Sequence, residues 1–515
     1  MDSLVLPVPH VDRAPSADER RRFLGVFFDV APAMFIGTLD QAIVAAALPA
    51  ISADLGGLAN VAWLVTAYLL CATVAAPIYG HLGDAFGRRR LLLWALAIFL
   101  LGSVACAEAP SVGLLVAARA LQGLGGGGLM TLAQALIGEA VSPKERGRFQ
   151  GWFGAVFALA STLGPVAGGF LSQHLGWRSI FWVNVPLGIG ATVAAIRLPP
   201  AKGTNSFVPD VVGTLLFVVA TVSILLALSL GSSLGWMSIA VGGLAVAGLS
   251  GFAVLPAVER RSRDPLLPPE LLALPVVWRA GVCVLLFAAQ LFALVVELPL
   301  LLQKGFGASA SASGLLLLPL TVAQVATSTA VGSWISRTGR PRGVMVGGLA
   351  TAAFGLVLLV LALRLGVWAV GAAVVLVGVG LGTTMPAAQT MVQWAGGMAR
   401  LGSATASLSF ARSIGGVLGA AVASTILVVA LRALAPDSIE SPGPTGNEGV
   451  QASFRWVFGA LAMLGAIAAV VAATIPDIDL AASPPSSTER VARARGTMAG
   501  ALQNAQGGPS QDRAG

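Results

Sequence analysis

Three charged side chains stand in stretches that are otherwise too apolar to hold them. Asp40 interrupts "IGTLDQAIVAAALP" (36–49), Arg119 opens "RALQGLGGGG" (119–128), and Glu297 sits near the end of "QLFALVVELP" (290–299). An ionisable residue in such a segment is costly and by default marks a pathway or an ion pair. A carboxyl that alternates between an apolar setting and a neighbouring guanidinium changes its proton affinity, so it can take up and release a proton. Asp40 fits that role with Arg119 as its partner. It also fits a satisfied buried acid, and Arg119 a cap on main-chain carbonyls. Gln290 lies seven residues before Glu297, on nearly the same helical face. This polar stripe either lines a cavity or pairs at an interface. Gln389 and Gln393, spaced i, i+4, offer a second lining patch.

Other residues suit motion rather than chemistry. Asp84 is followed by Arg88, Arg89 and Arg90. A carboxylate there could meet the positive N-terminus of another helix or pair with an arginine. Pro165, between Gly164 and Gly168, lacks an amide donor and bends or loosens its helix. Gly123, Gly125 and Gly128 spell G-x-G-x-x-G, the pattern of a dinucleotide loop. That loop needs a strand before it. Here it lies inside an apolar run, where small residues let helices approach closely.

The elements that must position these residues are membrane helices. Of 515 residues, 56% are hydrophobic and 10% charged, against about 25% charged in a soluble domain. Fourteen apolar spans are expected: 26–51, 63–83, 91–108, 112–134, 147–172, 178–198, 211–231, 236–257, 279–302, 314–335, 343–364, 367–390, 404–432 and 454–475. A crossing needs about 20 apolar residues. The eleventh and twelfth are separated only by "LG", but fused they would run to about 72 Å. The fold class is therefore an all-α integral membrane protein with 14 transmembrane helices.

Charge sets the expected topology. With both termini in the cytoplasm, 25 of the 31 lysines and arginines fall on the inner side, a count that takes in Arg400 and Arg412. Four (Arg178, Lys304, Arg364 and Arg432) fall in outer loops. That is the positive-inside pattern of a multi-pass protein of the cytoplasmic (inner) membrane. The excess charge is spread over every inner loop, which argues against nucleic acid as a partner. The first 25 residues hold no short apolar core with a cleavage site, so no removable signal peptide is expected. Cys71, Cys106 and Cys283 fall in apolar runs and read as reduced packing residues. His10, His81 and His174 lie far apart, with no metal-ligand spacing.

The chain also repeats itself. "GHLGDAFGRRR" (80–90) superposes on "GSWISRTGRPR" (332–342), and Gly164 and Gly168 match Gly415 and Gly419. Ser336 stands where Asp84 maps, so the second copy lacks the acid. Five regions follow: an N-terminal cytoplasmic tail (1–25), a six-helix bundle (26–198), linkers with two inserted helices (199–275), a second bundle (276–475) and a C-terminal cytoplasmic tail (476–515). Both tails are expected to be disordered. The loop 433–451 is read as passive, with a lid as the alternative. Two related bundles with a site at their interface is a transporter plan.

Taken together, these stretches resemble the major facilitator superfamily, in particular its fourteen-helix drug:proton antiporter branch of EmrB/QacA type. "LDQAIVAAALPAI" (39–51), "GHLGDAFGRRR" (80–90), "RALQGLGGGG" (119–128), "GPVAGG" (164–169), "WRSIFWVNVPLG" (177–188) and "LPLLLQKGFGASASASGLLLLP" (298–319) are similar to that branch's motifs, in order. The resemblance implies a major facilitator fold, two six-helix bundles plus two inserted central helices. It implies that Asp40 and Arg119 belong to proton coupling, and Asp84 with Arg88 to a conformational gate. The "GPVAGG" motif of Gly164 and Pro165 is usually linked with exporters. The thirteenth helix carries no acid, unlike some relatives that export cations, and this argues against a dicationic preference.

The expected activity is alternating-access export of an amphipathic small molecule in exchange for protons, a multidrug or antibiotic efflux function. Asp40, Arg119 and Glu297 would serve proton coupling. Asp40, Gln290, Glu297, Gln389 and Gln393 would line the substrate cavity, and Asp84, Arg88, Gly164 and Pro165 would serve gating. No cofactor and no metal is expected, the proton gradient being the driving force. Partners would be the substrate, protons and membrane lipids, around a monomer. The alternatives are an exporter dedicated to one natural product or metabolite, or a nutrient symporter. No nucleophile–base pair or large soluble domain supports an enzyme.

Overall fold

The computed structural model describes residues 17–55, 58–140, 143–200, 208–307, 317–397, 400–435, 448–478 and 480. Among them every regular element is helical. The helices are α1 (Ala17–Leu55), α2 (Leu58–Phe86), α3 (Arg88–Ala107), α4 (Val112–Ala140), α5 (Pro143–His174), α6 (Ser179–Trp182), α7 (Asn184–Arg197), α8 (Val211–Leu234), α9 (Ile239–Glu259), α10 (Pro269–Leu272), α11 (Pro275–Phe306), α12 (Leu318–Thr338), α13 (Pro341–Ala362), α14 (Val367–Leu381), α15 (Thr384–Gly396), α16 (Leu401–Leu434) and α17 (Glu448–Ala473).

Thirteen helices or helix pairs are long and apolar enough to cross a membrane. The tenth expected span is α12, whose 21 residues suffice in length, but Thr321, Gln324, Thr327, Ser328 and Ser333 make it the least apolar. The sixth span is the pair α6 and α7. The twelfth is α14 and α15, and it runs on to Gly396, six residues past the expected end. The helical part of the N-terminal tail is a correction: α1 begins at Ala17. Phe23, buried, stacks on Phe27 at 5.6 Å and meets Trp152 edge-on, which gives this first turn a packing partner. The C-terminal tail beyond Leu480, the 201–207 linker and the loop 436–447 lie outside the described residues.

The helices form two bundles with the same internal pairing. In the first, α1 packs on α5, α2 and α3 on α4, and α7 on α1 and α3. In the second, α11 packs on α16, α12 and α13 on α14, and α17 on α11 and α13. The matched glycines do the same work in each. Gly164 and Gly168 lie against the backbone at Ala42 and Ile43 of α1, and Gly415 and Gly419 against Leu285 and Ala289 of α11. A methyl group at any of the four would overlap its neighbour. The run after Arg119 is also packing. Gly123 and Gly127 touch α2 at Tyr68 and Ala72, and Gly125 touches α3 at Phe99. Close helix contact through small residues is how helices associate where lipid supplies no hydrophobic force.

The bundles meet chiefly along α2 on α16 and α5 on α12, with smaller contacts of α15 on α5 and of α16 on α4. The inserted pair, α8 on α9, covers the α2–α16 seam. Phe217 and Phe252 close around Phe410 of α16 at 5.0 and 6.0 Å, and the Trp236 indole N–H donates to Thr425 Oγ1 at 3.0 Å.

Candidate functional site

Asp40 is fully buried near the middle of α1, and every neighbour that touches its carboxylate comes from the first bundle. Arg119 of α4 donates from Nη1 to Oδ2 at 2.6 Å. Gln122, one turn along α4, donates to Oδ1 at 2.9 Å, and Asn184, the first residue of α7, donates to the same oxygen at 2.7 Å. Ser103 of α3 accepts from Gln122 at 2.7 Å, and the Arg119 guanidinium lies 4.3 Å from the Tyr68 ring centre. Arg119 Nε also donates to the Leu64 carbonyl at 3.3 Å. The pair is 0% and 1% exposed. Sequence spacing anticipates Asp40 with Arg119. Asn184 lies inside the quoted "WRSIFWVNVPLG" stretch but is not singled out there, and Ser103 carries no sequence signal, because small polar residues are common in membrane helices.

A second cluster lies at the end of the molecule marked by Asp84, and it joins the bundles. Asp84 Oδ1 accepts from Arg88 Nη2 at 2.7 Å and from the main-chain N–H of Gly402 at 2.9 Å. Oδ2 accepts from the Ser403 N–H at 3.0 Å and its hydroxyl at 3.2 Å. These are the first free N–H groups of α16, so the carboxylate caps a helix N-terminus, where unpaired donors and the helix dipole favour a negative charge. Both partners anticipated for Asp84, an arginine and a helix N-terminus, are present together. Arg88 also binds Glu139 of α4 at 2.8 Å. The seam is tight here because Gly80 and Gly402 face each other. Ser336, the counterpart of Asp84, bonds only back to Ser333 within α12 at 2.9 Å.

Gln389 and Gln393 sit inside this same seal. Gln389 Nε2 donates to Gln134 Oε1 of α4 at 2.8 Å, a bond between bundles, and Gln393 Nε2 donates to Thr405 Oγ1 at 3.1 Å. Glu297 and Gln290 lie within the second bundle. Glu297 Oε1 accepts from Ser424 of α16 at 2.8 Å, and Gln290 donates to the Leu286 carbonyl at 3.1 Å. Asp40, Gln290, Glu297, Gln389 and Gln393 are thus at most 1% exposed in this conformation. The seal covers the two glutamines of α15. Pro165 sits within α5, beside the close approach of Gly164 to α1.

One intramembrane charge is counted with the inner segments although it falls inside the expected span 404–432: α16 carries Arg412 11 residues past Leu401. Its guanidinium carbon lies 5.2 Å from the ring centre of Phe157 on α5. At the opposite end of the molecule, Asp54 accepts from the Trp177 indole at 2.8 Å and from Arg178 at 3.0 Å. The Trp177 hydrogen bond first, then that of Arg178, holds the Asp54 carboxyl below its ordinary value. The three cysteines are free. Among the described residues no group of His, Cys, Asp or Glu is placed to hold a metal ion.

Comparison with known proteins places this geometry. The sequence profile of the Major Facilitator Superfamily matches residues 30–420 and 280–503. The chain is 34% identical over 397 residues to the Multidrug transporter protein MdtP of Bacillus subtilis (strain 168), covering 77% of this chain and 73% of that protein. It is 36% identical over 404 residues to an uncharacterized MFS-type transporter of Mycobacterium tuberculosis (strain CDC 1551 / Oshkosh), covering 77% of this chain but 58% of the relative. A solved structure of the proton:xylose symporter XylE superposes with a TM-score of 0.64, at 13% identity, over 90% of this chain and 98% of that one. At that identity the likeness speaks for the fold alone.

Proposed function

Since the chain belongs to the major facilitator superfamily, a family of multi-pass membrane transporters and not of enzymes, we propose that it is a proton-driven exporter of amphipathic small molecules. It would sit in the cytoplasmic membrane with both termini and the Asp84 end inside, act as a monomer and need no cofactor. The observation that carries the reading is the Asp40–Arg119 pair, a charge pair sealed at membrane depth inside one bundle. Its relation to a Bacillus subtilis protein named a multidrug transporter and to a Gibberella moniliformis protein named an efflux pump supports outward transport of small molecules.

The cycle follows from the charges. Protonating Asp40 removes half of a buried ion pair and leaves the Arg119 charge to Gln122 and the Leu64 carbonyl. That change alters how α1 and α4 pack. With the Asp84 end inside, this seal bars the cytoplasmic route in the closed state. Release of the seal, with Asp84 leaving the end of α16, opens the inner side to substrate. Proton and substrate must favour opposite-facing states, or no exchange results. One charge crossing 100 mV supplies about 2.3 kcal/mol and one pH unit about 1.4 kcal/mol. Together these sustain a concentration ratio of roughly several hundred per proton.

The test uses inside-out vesicles with an acid interior, followed for uptake of a panel of lipophilic dyes and antibiotics. Uptake should collapse with a protonophore and with Asp40→Asn at equal expression. Uptake that survives both would refute proton-coupled export.

A further inference from the structure

Arg412 is the charge that the cycle above leaves unused. It lies about 16 Å along α16 from the Asp84 end, close to the middle of a hydrocarbon core of about 30 Å. Thr405, seven residues earlier, occupies nearly the same helical stripe and is bonded to Gln393 in the seal. Arg412 therefore stands two turns beyond the seal, between the two bundles.

The Phe157 contact fixes the direction in which Arg412 points. α16 meets the first bundle chiefly through α2 and also through α4, and α5 meets the second chiefly through α12 and also through α15. The contact of Arg412 on α16 with Phe157 on α5, at 5.2 Å, therefore lies between the two bundles. Both residues are partly exposed, whereas Asp40, Arg119 and Glu297 are buried. Arg119 has Asp40 as its counter-ion. Arg412 has no acid within ion-pair distance and makes no hydrogen bond among the described residues. A guanidinium at this depth is costly and calls for a partner. The structure supplies an aromatic face and leaves the donors uncommitted.

We propose that Arg412 is the anchoring cation of the substrate cleft and that the substrate is an amphipathic organic anion, a carboxylate on an apolar or aromatic body. The planar fork of arginine matches a carboxylate with two parallel hydrogen bonds, and Phe157 offers its ring to the apolar body. This inference rests on the exporter reading for the place of the cleft and deepens it by naming the substrate class. An anion leaving a negative interior moves with the membrane potential, so the substrate's own charge adds to the proton drive.

The test uses the full chain in nanodiscs and three probes on one scaffold: 1-naphthylacetate, 1-naphthylacetamide and 2-(1-naphthyl)ethylammonium. Binding is read by calorimetry. Wild type should bind the acid at least about tenfold more tightly than the amide or the amine. Arg412→Gln should bring that preference below about twofold, and Arg412→Lys should keep most of it, because the charge remains. Equal binding of all three probes, no binding of the acid, or a preference kept in Arg412→Gln overturns the proposal. Should Arg412→Gln not fold, the wild-type preference and the Arg412→Lys series decide it alone. Acid-selective binding without gradient-driven movement in proteoliposomes sinks the exporter reading and leaves the anion site standing. Gradient-driven movement of the amine without acid binding does the reverse.

Discussion

Asp84 and Ser403, 319 residues apart in sequence, are joined by two hydrogen bonds: the Asp84 carboxylate accepts both the main-chain N–H and the hydroxyl of Ser403. One residue belongs to each bundle, so this contact holds the Asp84 end shut. It also satisfies donors at the start of α16 that would otherwise face Gly80 unpaired. A cap of this kind is worth about 1 kcal/mol, enough to bias two states of similar energy yet weak enough to break in each cycle. Asp84→Ala should therefore lower turnover by about fivefold while leaving substrate affinity within about threefold. Steady-state transport set beside equilibrium binding measures both. A loss confined to affinity would remove Asp84 from the gate.

The Asp40–Arg119 pair makes a separable prediction about stability and coupling. Removing one partner of a buried pair leaves an uncompensated charge and costs roughly 3–5 kcal/mol. Asp40→Asn should thus lower the melting temperature as well as abolish proton-driven transport. Adding Arg119→Gln should restore much of the stability, because no lone charge then remains, and should restore no transport. Melting curves of the two single variants and the double variant form the cycle that tests this. Additive losses would show that the two residues do not act as a pair.

The sequence carries the parts of this architecture that depend on composition and period. Spans, the two-bundle repeat, and the pairing of Asp40 with Arg119 follow from where charge interrupts apolar runs. The Gly164/Gly415 match even anticipates equivalent contacts, since both glycines press on the first helix of their own bundle. What is not legible depends on rotation between helices. Gln389 reads as a cavity residue because it is polar on an apolar helix, but only the meeting with Gln134 of the other bundle places it in the seal. Arg412 escapes attention for a different reason: it is counted as an inner-side cation although the expected span 404–432 already contains it. Asn184 reaches Asp40 from the start of α7, a meeting that only the packing of α7 on α1 reveals.

At the end opposite the seal, Asp54 ties the end of α1 to the turn before α6 through Trp177 and Arg178. The carboxyl is held below its ordinary value of 3.8. A depressed value stabilises the fold above the unfolded pKa, and that contribution is lost as pH falls through the folded one. The fluorescence of Trp177 should therefore change only below about pH 3.8, and Asp54→Asn should remove the transition. The site is exposed, so the effect on overall stability is small. A transition that persists unchanged in Asp54→Asn would assign it to another group.

The bond between Gln134 and Gln389 allows the seal to be locked on demand. Their side-chain ends lie 2.8 Å apart across the bundles, so cysteines placed at both positions come within reach of a short thiol cross-linker. With Cys71, Cys106 and Cys283 replaced by alanine, Gln134→Cys/Gln389→Cys should cross-link in high yield. Transport should then stop, and it should return when a cleavable linker is reduced. Each single cysteine should transport normally under the same treatment. If the two bundles must part at this level in every turnover, a fixed bridge between α4 and α15 blocks the cycle whatever the substrate. Full transport by the cross-linked protein would mean that the bundles exchange states without opening here, and the seal would have to be sought elsewhere along the α2–α16 seam.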